Sequence, residues 1–216
     1  MKKTLAALFL AAMVMATAAH AQPGDHVAVG VGLGWHNYKD PAFSSTNPSI
    51  VPEYHFGLTP HAGREGLSIG LKGGIGYTNV DRSDFIGGFE TRSGTLKMIP
   101  AMVGFGPSYR TGPVRIGMAV VAGPSFNNFS IDNAARAAYS ERTGATLNSI
   151  KVENSVAVRP DVSLWYKFTD RVGMHSAVSY TVNRPMVRTT VDGVTTSERW
   201  NTDRWNYQAG LALGIF

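Results

Sequence analysis

The chain has 216 residues, of which 44% are hydrophobic and only 16% charged, with 24 glycines and no cysteine. The lack of cysteine excludes disulfides, thiolate metal sites and a thiol nucleophile. The length favours one domain, and a formal net charge of +5 is too small to indicate nucleic-acid binding.

The first 21 residues have the pattern of a secretory signal peptide. Lys2 and Lys3 supply the charged start, residues 5–15 an apolar stretch, and Ala19-His20-Ala21 a cleavage site. The apolar stretch is shorter than the roughly 20 residues that a membrane-spanning helix needs. We therefore expect residues 1–21 to be removed on export and residues 22–216 to form the folded domain.

Eight later segments alternate large apolar residues with small or polar ones. In chain order they are 27–35, a weaker segment at 50–58, 67–77, 99–109, 114–121, 156–166, 172–182 and 205–215. A period of two puts the apolar residues of each segment on one face of a β-strand. The pattern predicts an all-β fold of eight strands.

The opposite face of these strands decides what the apolar face meets. In a soluble sandwich it would be richly charged, but here it is mostly glycine, alanine and serine. Small residues fit the crowded lumen of a narrow barrel, and a closed barrel satisfies its backbone groups without water. We predict an eight-stranded antiparallel up-and-down transmembrane β-barrel whose apolar faces meet lipid. The aromatic girdles would contain Trp35, Tyr54, Tyr77, Tyr109, Tyr166, Trp205 and Tyr207.

The connections alternate in length. Those at 109–113 and 167–171 are tight turns, and 57–66 is a longer turn of the same parity. Those at 39–49, 81–95, 130–149 and 184–198 are longer and more polar. This alternation predicts short periplasmic turns and longer extracellular loops, with both termini in the periplasm. In the third loop, Asp132 or Asn133 could cap a short helix, and an irregular polar loop is the alternative.

Three of the predicted strands contain a proline, namely Pro52, Pro100 and Pro160. A proline removes a ladder donor, and a closed barrel has no free edge to accommodate it. We expect these prolines near the external rim, where pairing can bulge.

The signal segment, the glycine-rich strands, the Ile99–Val103 stretch, the Phe168–Gly173 turn and the terminal Phe216 resemble the small eight-stranded outer-membrane β-barrel proteins. These include the membrane domain of the outer membrane protein A type and the OmpX-like barrels. The resemblance implies a barrel domain over residues 22–216 in the outer membrane of a Gram-negative bacterium. Its partners would be outer-membrane lipid, lipopolysaccharide and the barrel-assembly machinery. Phe216 departs from the pattern, since it is in step with Gly214 rather than with Ile215.

Several charged residues fall on the predicted lumen face: Glu53, Lys72, Arg115, Arg159 and Asp161. Charges in a lumen of low dielectric need partners, and the mixed signs allow them to pair. The sequence therefore predicts a salt-bridge network that fills the lumen, with His175 as a further interior group. A narrow path for small solutes is the alternative. No metal or cofactor is predicted, because no third ligand accompanies His55 and His175.

Three arginines near the last long connection, Arg184, Arg188 and Arg199, could contact lipopolysaccharide phosphates from the external rim. Arg204 belongs to the same stretch of sequence. An ordinary solvated loop is the alternative interpretation.

Some small barrels modify lipid A, which requires a serine nucleophile with a histidine and a carboxylate. His175 and Ser179 share the predicted lumen face but lie about 13 Å apart along a strand, and Ser176 points the other way. No catalytic residue is predicted. The sequence favours a structural or surface-interaction role of the adhesion type, with a lipid A-modifying enzyme or a small-solute channel as alternatives.

Overall fold

The computed structural model describes residues 27–44, 49–57, 65–169 and 172–214. The predicted signal peptide and Phe216 lie outside these residues. The strands are β1 (Val27–Tyr38), β2 (Phe43–Ser44), β3 (Ser49–Gly57), β4 (Gly66–Ile75), β5 (Thr78–Ile86), β6 (Phe89–Thr111), β7 (Val114–Ile131), β8 (Leu147–Val152), β9 (Ser155–Lys167), β10 (Val172–Asn183), β11 (Met186–Val191), β12 (Val194–Arg199) and β13 (Arg204–Gly214), and one helix, α1 (Asn133–Thr143), precedes β8.

Eight of the strands form a closed ring of antiparallel pairs in the order β1-β3-β4-β6-β7-β9-β10-β13. The ring closes where β13 pairs with β1, in a register that runs from Ala28 opposite Gly214 to Tyr38 opposite Arg204. Each strand thus pairs with the next barrel strand of the chain. The predicted eight-stranded antiparallel up-and-down barrel is confirmed.

One wall of the barrel is built from a broken strand. β4 pairs with the second half of the long β6, and β5 continues along the first half of β6 after a break at Gly76 and Tyr77. At the break the backbone N–H of Gly76 donates to the carbonyl of Pro100 over 2.9 Å. The register on β6 is the same before and after this break, so the strand is interrupted at Pro100 without a bulge. Beyond the break β5, β6 and β7 extend past the barrel.

The two faces of the strands differ as predicted. Outward residues such as Leu67, Phe105 and Leu164 are exposed, whereas inward residues such as Ser108 and Ser163 are buried. A continuous belt of exposed apolar side chains is incompatible with water and fits lipid. Six of the seven predicted girdle aromatics are exposed on this surface, and the side chain of the seventh, Tyr54, lies outside the described part.

The prolines do not share one position. Pro160 lies within β9 opposite Val120 of β7 and is exposed on the outer face. On the β10 side, Asp161 and Val158 have pairing partners, but Pro160 between them has none. The rim position expected for Pro160 is therefore wrong, because the ladder tolerates its missing donor by an interruption inside the wall. The backbone of Pro52 lies in β3 opposite Val31.

The long connections contain a helix and strands in the parts that the structure describes. The segments predicted as polar loops at 81–95 and 184–198 contain the β5–β6 and β11–β12 hairpins, and β8, β11 and β12 form a separate three-stranded sheet. With β2 and α1, these elements form a unit at one end of the barrel, which we call the headpiece. Its apolar core consists of Phe43, Val80, Leu96, Met98, Phe129, Val152, Val187 and Trp200.

The predicted helix in the third loop is present as α1. Asp132 occupies the N-cap position, but its side chain makes no cap hydrogen bond and instead pairs with Arg92, Oδ2 to Nη1, at 3.0 Å. Gly144 ends the helix in the left-handed conformation with φ 71°, as glycine favours. Among the described residues, no helix has the length and apolarity to cross a membrane.

We predict that Leu164→Arg destabilises the barrel by about 2–4 kcal/mol if that site lies at the bilayer midplane, because a cation would replace an apolar side chain in lipid. The measurement is denaturant unfolding in liposomes. Val194→Arg in the headpiece is the matched control, since Val194 is also exposed and apolar, and it should stay within about 0.5 kcal/mol of wild type. Equal losses would contradict the assignment of the outer face to lipid.

Candidate functional site

An ion pair spans the lumen. The Lys72 ammonium on β4 donates to Asp161 Oδ1 on β9 over 2.8 Å, and both side chains are only 1% exposed. β6 and β7 separate these strands in the ring, so the pair bridges the lumen rather than two neighbouring strands. Buried charges require partners of this kind, and glycine at positions 70 and 74 leaves room for the long lysine side chain.

The other predicted lumen residues are distributed around this pair. Arg159 is buried beside Asp161, with Nη2 to Oδ2 at 3.8 Å. His175 is fully buried and lies against the ring of Trp165, with centroids 4.4 Å apart. Arg115 lies opposite Arg110 near the turn between β6 and β7, away from the central pair. The side chain of Glu53 lies outside the described part.

A second polar layer was not predicted from the sequence. Asn206 on β13 accepts a hydrogen bond from Arg204 Nε at 3.1 Å and contacts His36 Nδ1 at 2.8 Å, while its amide donates to the Thr181 hydroxyl at 2.9 Å. Arg204 was grouped with the external arginines, but it is buried in the barrel above the ring of Tyr38. The alternation along β13 indicates this inward position, since Arg204, Asn206 and Gln208 lie on the same face of the strand.

The headpiece core lies next to this layer. Trp200 packs edge-on against Phe43 and Phe129, with centroids 5.7 and 5.1 Å apart, and the Arg82 guanidinium lies 4.1 Å from the Trp200 ring centroid. The buried Asp203 accepts from the backbone N–H of Asn183 over 3.0 Å and so ties the end of β10 to the start of β13. An apolar cluster thus follows the polar lumen at the loop end of the barrel.

Several contacts hold the headpiece elements to one another. Arg142 of α1 donates to Ile86 O and Thr91 Oγ1 of the β5–β6 hairpin, at 3.2 and 2.9 Å. Asp192 at the tip of the β11–β12 hairpin accepts from the backbone N–H of Thr146 over 2.8 Å. Asp192 and Gly193 both have positive φ, at 47° and 79°, as a type I′ turn requires.

A surface ion pair adds to this order. Arg92 donates to Asp81 Oδ1 over 2.8 Å, and the same oxygen accepts from Thr95. The hydrogen bond from Arg92 is the main reason why the pKa of Asp81 lies below its usual value. Both groups are partly exposed, so solvent screens the interaction.

Two of the three predicted external arginines form ion pairs, and all three are exposed. Arg184 donates to Asp203 Oδ2 from Nη2 at 2.8 Å, and this hydrogen bond raises the pKa of Arg184 above its usual value. Arg188 pairs with Glu153 at 2.6 Å. Arg199, at the end of β12, lies opposite Met186 of β11.

The residues of β10 considered for catalysis do not come together as a catalytic group. His175 and Ser179 both point into the lumen, and Ser176 lies on the opposite face of β10, as the strand register predicted. His175 contacts Trp165, whereas the Ser179 hydroxyl accepts from Asn206 Nδ2 at 3.2 Å. No group of three or more metal-ligating side chains occurs among the described residues.

Three solved structures with a similar fold are those of outer-membrane proteins. OprG from Pseudomonas aeruginosa aligns with a TM-score of 0.62 and 12% identity over 90% of this chain and 97% of its own. A major outer membrane protein from Thermus thermophilus gives a TM-score of 0.54 and 12% identity, over 91% and 100% of the two chains. Outer membrane protein W of E. coli gives 0.52 and 12%, over 90% and 100%.

No protein-family model matches the chain, and no curated protein matches it significantly in sequence. At 12% identity the structural likenesses concern the fold. They agree with the resemblance to small outer-membrane barrels that the strand pattern indicated.

We predict that Asp161→Asn destabilises the barrel by about 3–5 kcal/mol, because it leaves the buried Lys72 ammonium without its carboxylate. Adding Lys72→Met should recover part of this loss, since the buried cation that Asp161 stabilised is then removed. The measurement is a double-mutant cycle from denaturant unfolding in detergent or lipid. Strictly additive losses would show that the two side chains are not coupled.

Proposed function

We propose that the protein resides in the bacterial outer membrane, to which it is exported by its signal peptide, and acts there through its headpiece as a surface-interaction protein. In this proposal the barrel is an anchor, and its lumen is closed rather than conducting. The observation that carries the proposal is the headpiece, in which β2, β5, β6, β7, β8, β11 and Trp200 contribute to one apolar core.

The anchoring role is supported by the outer surface of the barrel. Exposed apolar side chains cover the wall, and a closed ring of strand pairs leaves no edge to lipid. The fold likeness to outer-membrane proteins agrees with this location.

The interaction role is supported by the shape of the headpiece. Connections without function need not be ordered, whereas binding residues are commonly carried on loops that a rigid scaffold positions. Here the β11–β12 hairpin presents Thr189, Thr190, Thr195 and Thr196, and every residue of β12 is exposed. This hairpin is pinned to the start of β8 through Asp192 and Gly193, so its surface is preorganised.

The closed lumen is supported at two levels. The Lys72–Asp161 pair crosses the lumen, and the apolar cluster around Trp200 lies at the loop end. An eight-stranded barrel leaves an interior that side chains fill. The network of Glu53, Lys72, Arg115, Arg159, Asp161 and His175 is therefore proposed as structural, and a catalytic role is not part of the proposal.

Conductance distinguishes this proposal from a solute channel. We predict that the wild-type protein in planar lipid bilayers gives no stable single-channel steps in potassium chloride, because both levels of the lumen are occupied. Heat-modifiable migration on gels verifies that the sample is folded. Regular ion-conducting steps from folded protein would overturn the closed-lumen part.

Adhesion tests the role of the headpiece. We predict that cells displaying the wild-type chain bind to serum-protein-coated polystyrene better than cells displaying Trp200→Ala. Removing the Trp200 side chain leaves a cavity in the headpiece core and lowers its stability by about 3–5 kcal/mol, so the binding surface is no longer held in place. Arg136→Gln on the exposed face of α1 is the control and should behave as wild type. Equal adhesion by cells with and without the protein would contradict a role at this surface, and a changed lipid A mass spectrum would favour an enzyme.

A further inference from the structure

A groove of about 550 Å³ lies where the lipid-facing wall meets the headpiece. Its apolar side is formed by Val156 and Val158 of β9, Val182 of β10 and Met186 of β11. Its polar side is formed by Arg184, Arg199, Asn154, Ser155 and Glu153, whose carboxylate pairs with Arg188. The three valines belong to the exposed outer face of the barrel. The groove therefore starts in the apolar belt and ends among cations, which is the order of groups in an amphiphile.

The sheet next to the groove is positively charged on its outer side. Directly paired residues on neighbouring strands point to the same side, so Lys151 and Arg188 share one face. Three carboxylates lie nearby, and each already has a partner: Glu153 pairs with Arg188, Asp203 pairs with Arg184, and Glu198 accepts from Trp200 Nε1 over 2.7 Å. The exposed cations outnumber them, and they are Lys151, Arg184, Arg188 and Arg199. This excess of positive charge favours an anionic ligand.

The two arginines of the groove differ in whether another side chain holds them in place. Arg184 is oriented by Asp203, which accepts from both its Nε and its Nη2. Its Nη1 makes no hydrogen bond within the described residues and can donate into the groove. Arg199 forms no ion pair with any described residue, and a planar guanidinium suits the paired oxygens of a phosphate.

We propose that this groove binds the phosphate-bearing headgroup of an outer-leaflet lipid, with an acyl chain against the three valines. Arg199 is the main phosphate contact, and Arg184 is the oriented second donor. Arg188 is not part of the site, because Glu153 already occupies its guanidinium. The site lies at the barrel end of the β11–β12 hairpin, at Met186 and Arg199, and not at the threonines nearer the hairpin tip. Lipid binding there does not depend on the adhesion role.

The test measures lipid retention by the full chain in detergent. The probes are bisphosphorylated lipid A, the same lipid A after removal of its phosphates, and inorganic phosphate as competitor, with native mass spectrometry as the readout. Wild type should retain the phosphorylated form preferentially. Arg199→Gln should weaken its retention by about tenfold or more, which corresponds to one charge-assisted hydrogen bond.

Arg136→Gln is the matched control, since it also removes one exposed cation but lies on α1 away from the groove. Arg199→Gln alone is the decisive variant, because Arg184→Gln would leave the buried Asp203 without its partner. The proposal is overturned if Arg199→Gln retains lipid A as wild type does, if Arg136→Gln loses it equally, or if dephosphorylated lipid A is retained as well. Displacement by millimolar inorganic phosphate would identify a free-anion site and would also overturn it.

Discussion

The structure depends on the pairing of the first strand with the last. In lipid an unpaired backbone N–H or C=O has no water to replace its partner and costs several kcal/mol, so a sheet of eight strands must close. The β1–β13 ladder does this over 11 residue pairs. Closure then fixes the diameter, and the diameter decides which side chains the lumen can hold.

A narrow lumen explains both the small residues and the few charges. Gly70, Gly106 and Ser108 occupy inward positions, and a larger side chain at Gly104 or Gly106 would meet the backbone of β7. Where space remains, a long side chain can cross it, but a charged end must find a partner because desolvation is costly. The Lys72–Asp161 pair follows from these two constraints together.

Alternation along the chain predicted the barrel, its eight strands and the facing of residues such as Leu164 and Ser163, because period two is a local property of a strand. The headpiece was less accessible. Phe43 and Trp200 stand alone in polar segments, and the contacts of Trp200 with Phe43 and Phe129 join parts of the chain that are far apart in sequence. The prediction for Arg204 was wrong. Its neighbours in the sequence indicated an external loop, but it lies on the same strand face as Asn206 and points into the lumen. The hydrogen bond between Asn183 and Asp203 could not be predicted from the sequence either, because a contact between a strand end and a connection has no periodic signal.

A positive charge has a different energetic cost in the barrel lumen and on the outer side of the headpiece. Inside the barrel, Lys72 lies in a medium of low dielectric, so a fixed carboxylate such as that of Asp161 is needed to offset the cost of its desolvation. On the outer side of the headpiece, Arg199 is hydrated, and leaving it without an ion-pair partner costs little. A cation of this kind directly above an apolar wall is therefore tolerated with little loss of folding stability, and it stays available for a ligand. The arginines buried in the barrel therefore have a structural role, whereas those exposed above the apolar belt can bind a ligand. Their position decides this, and their number does not.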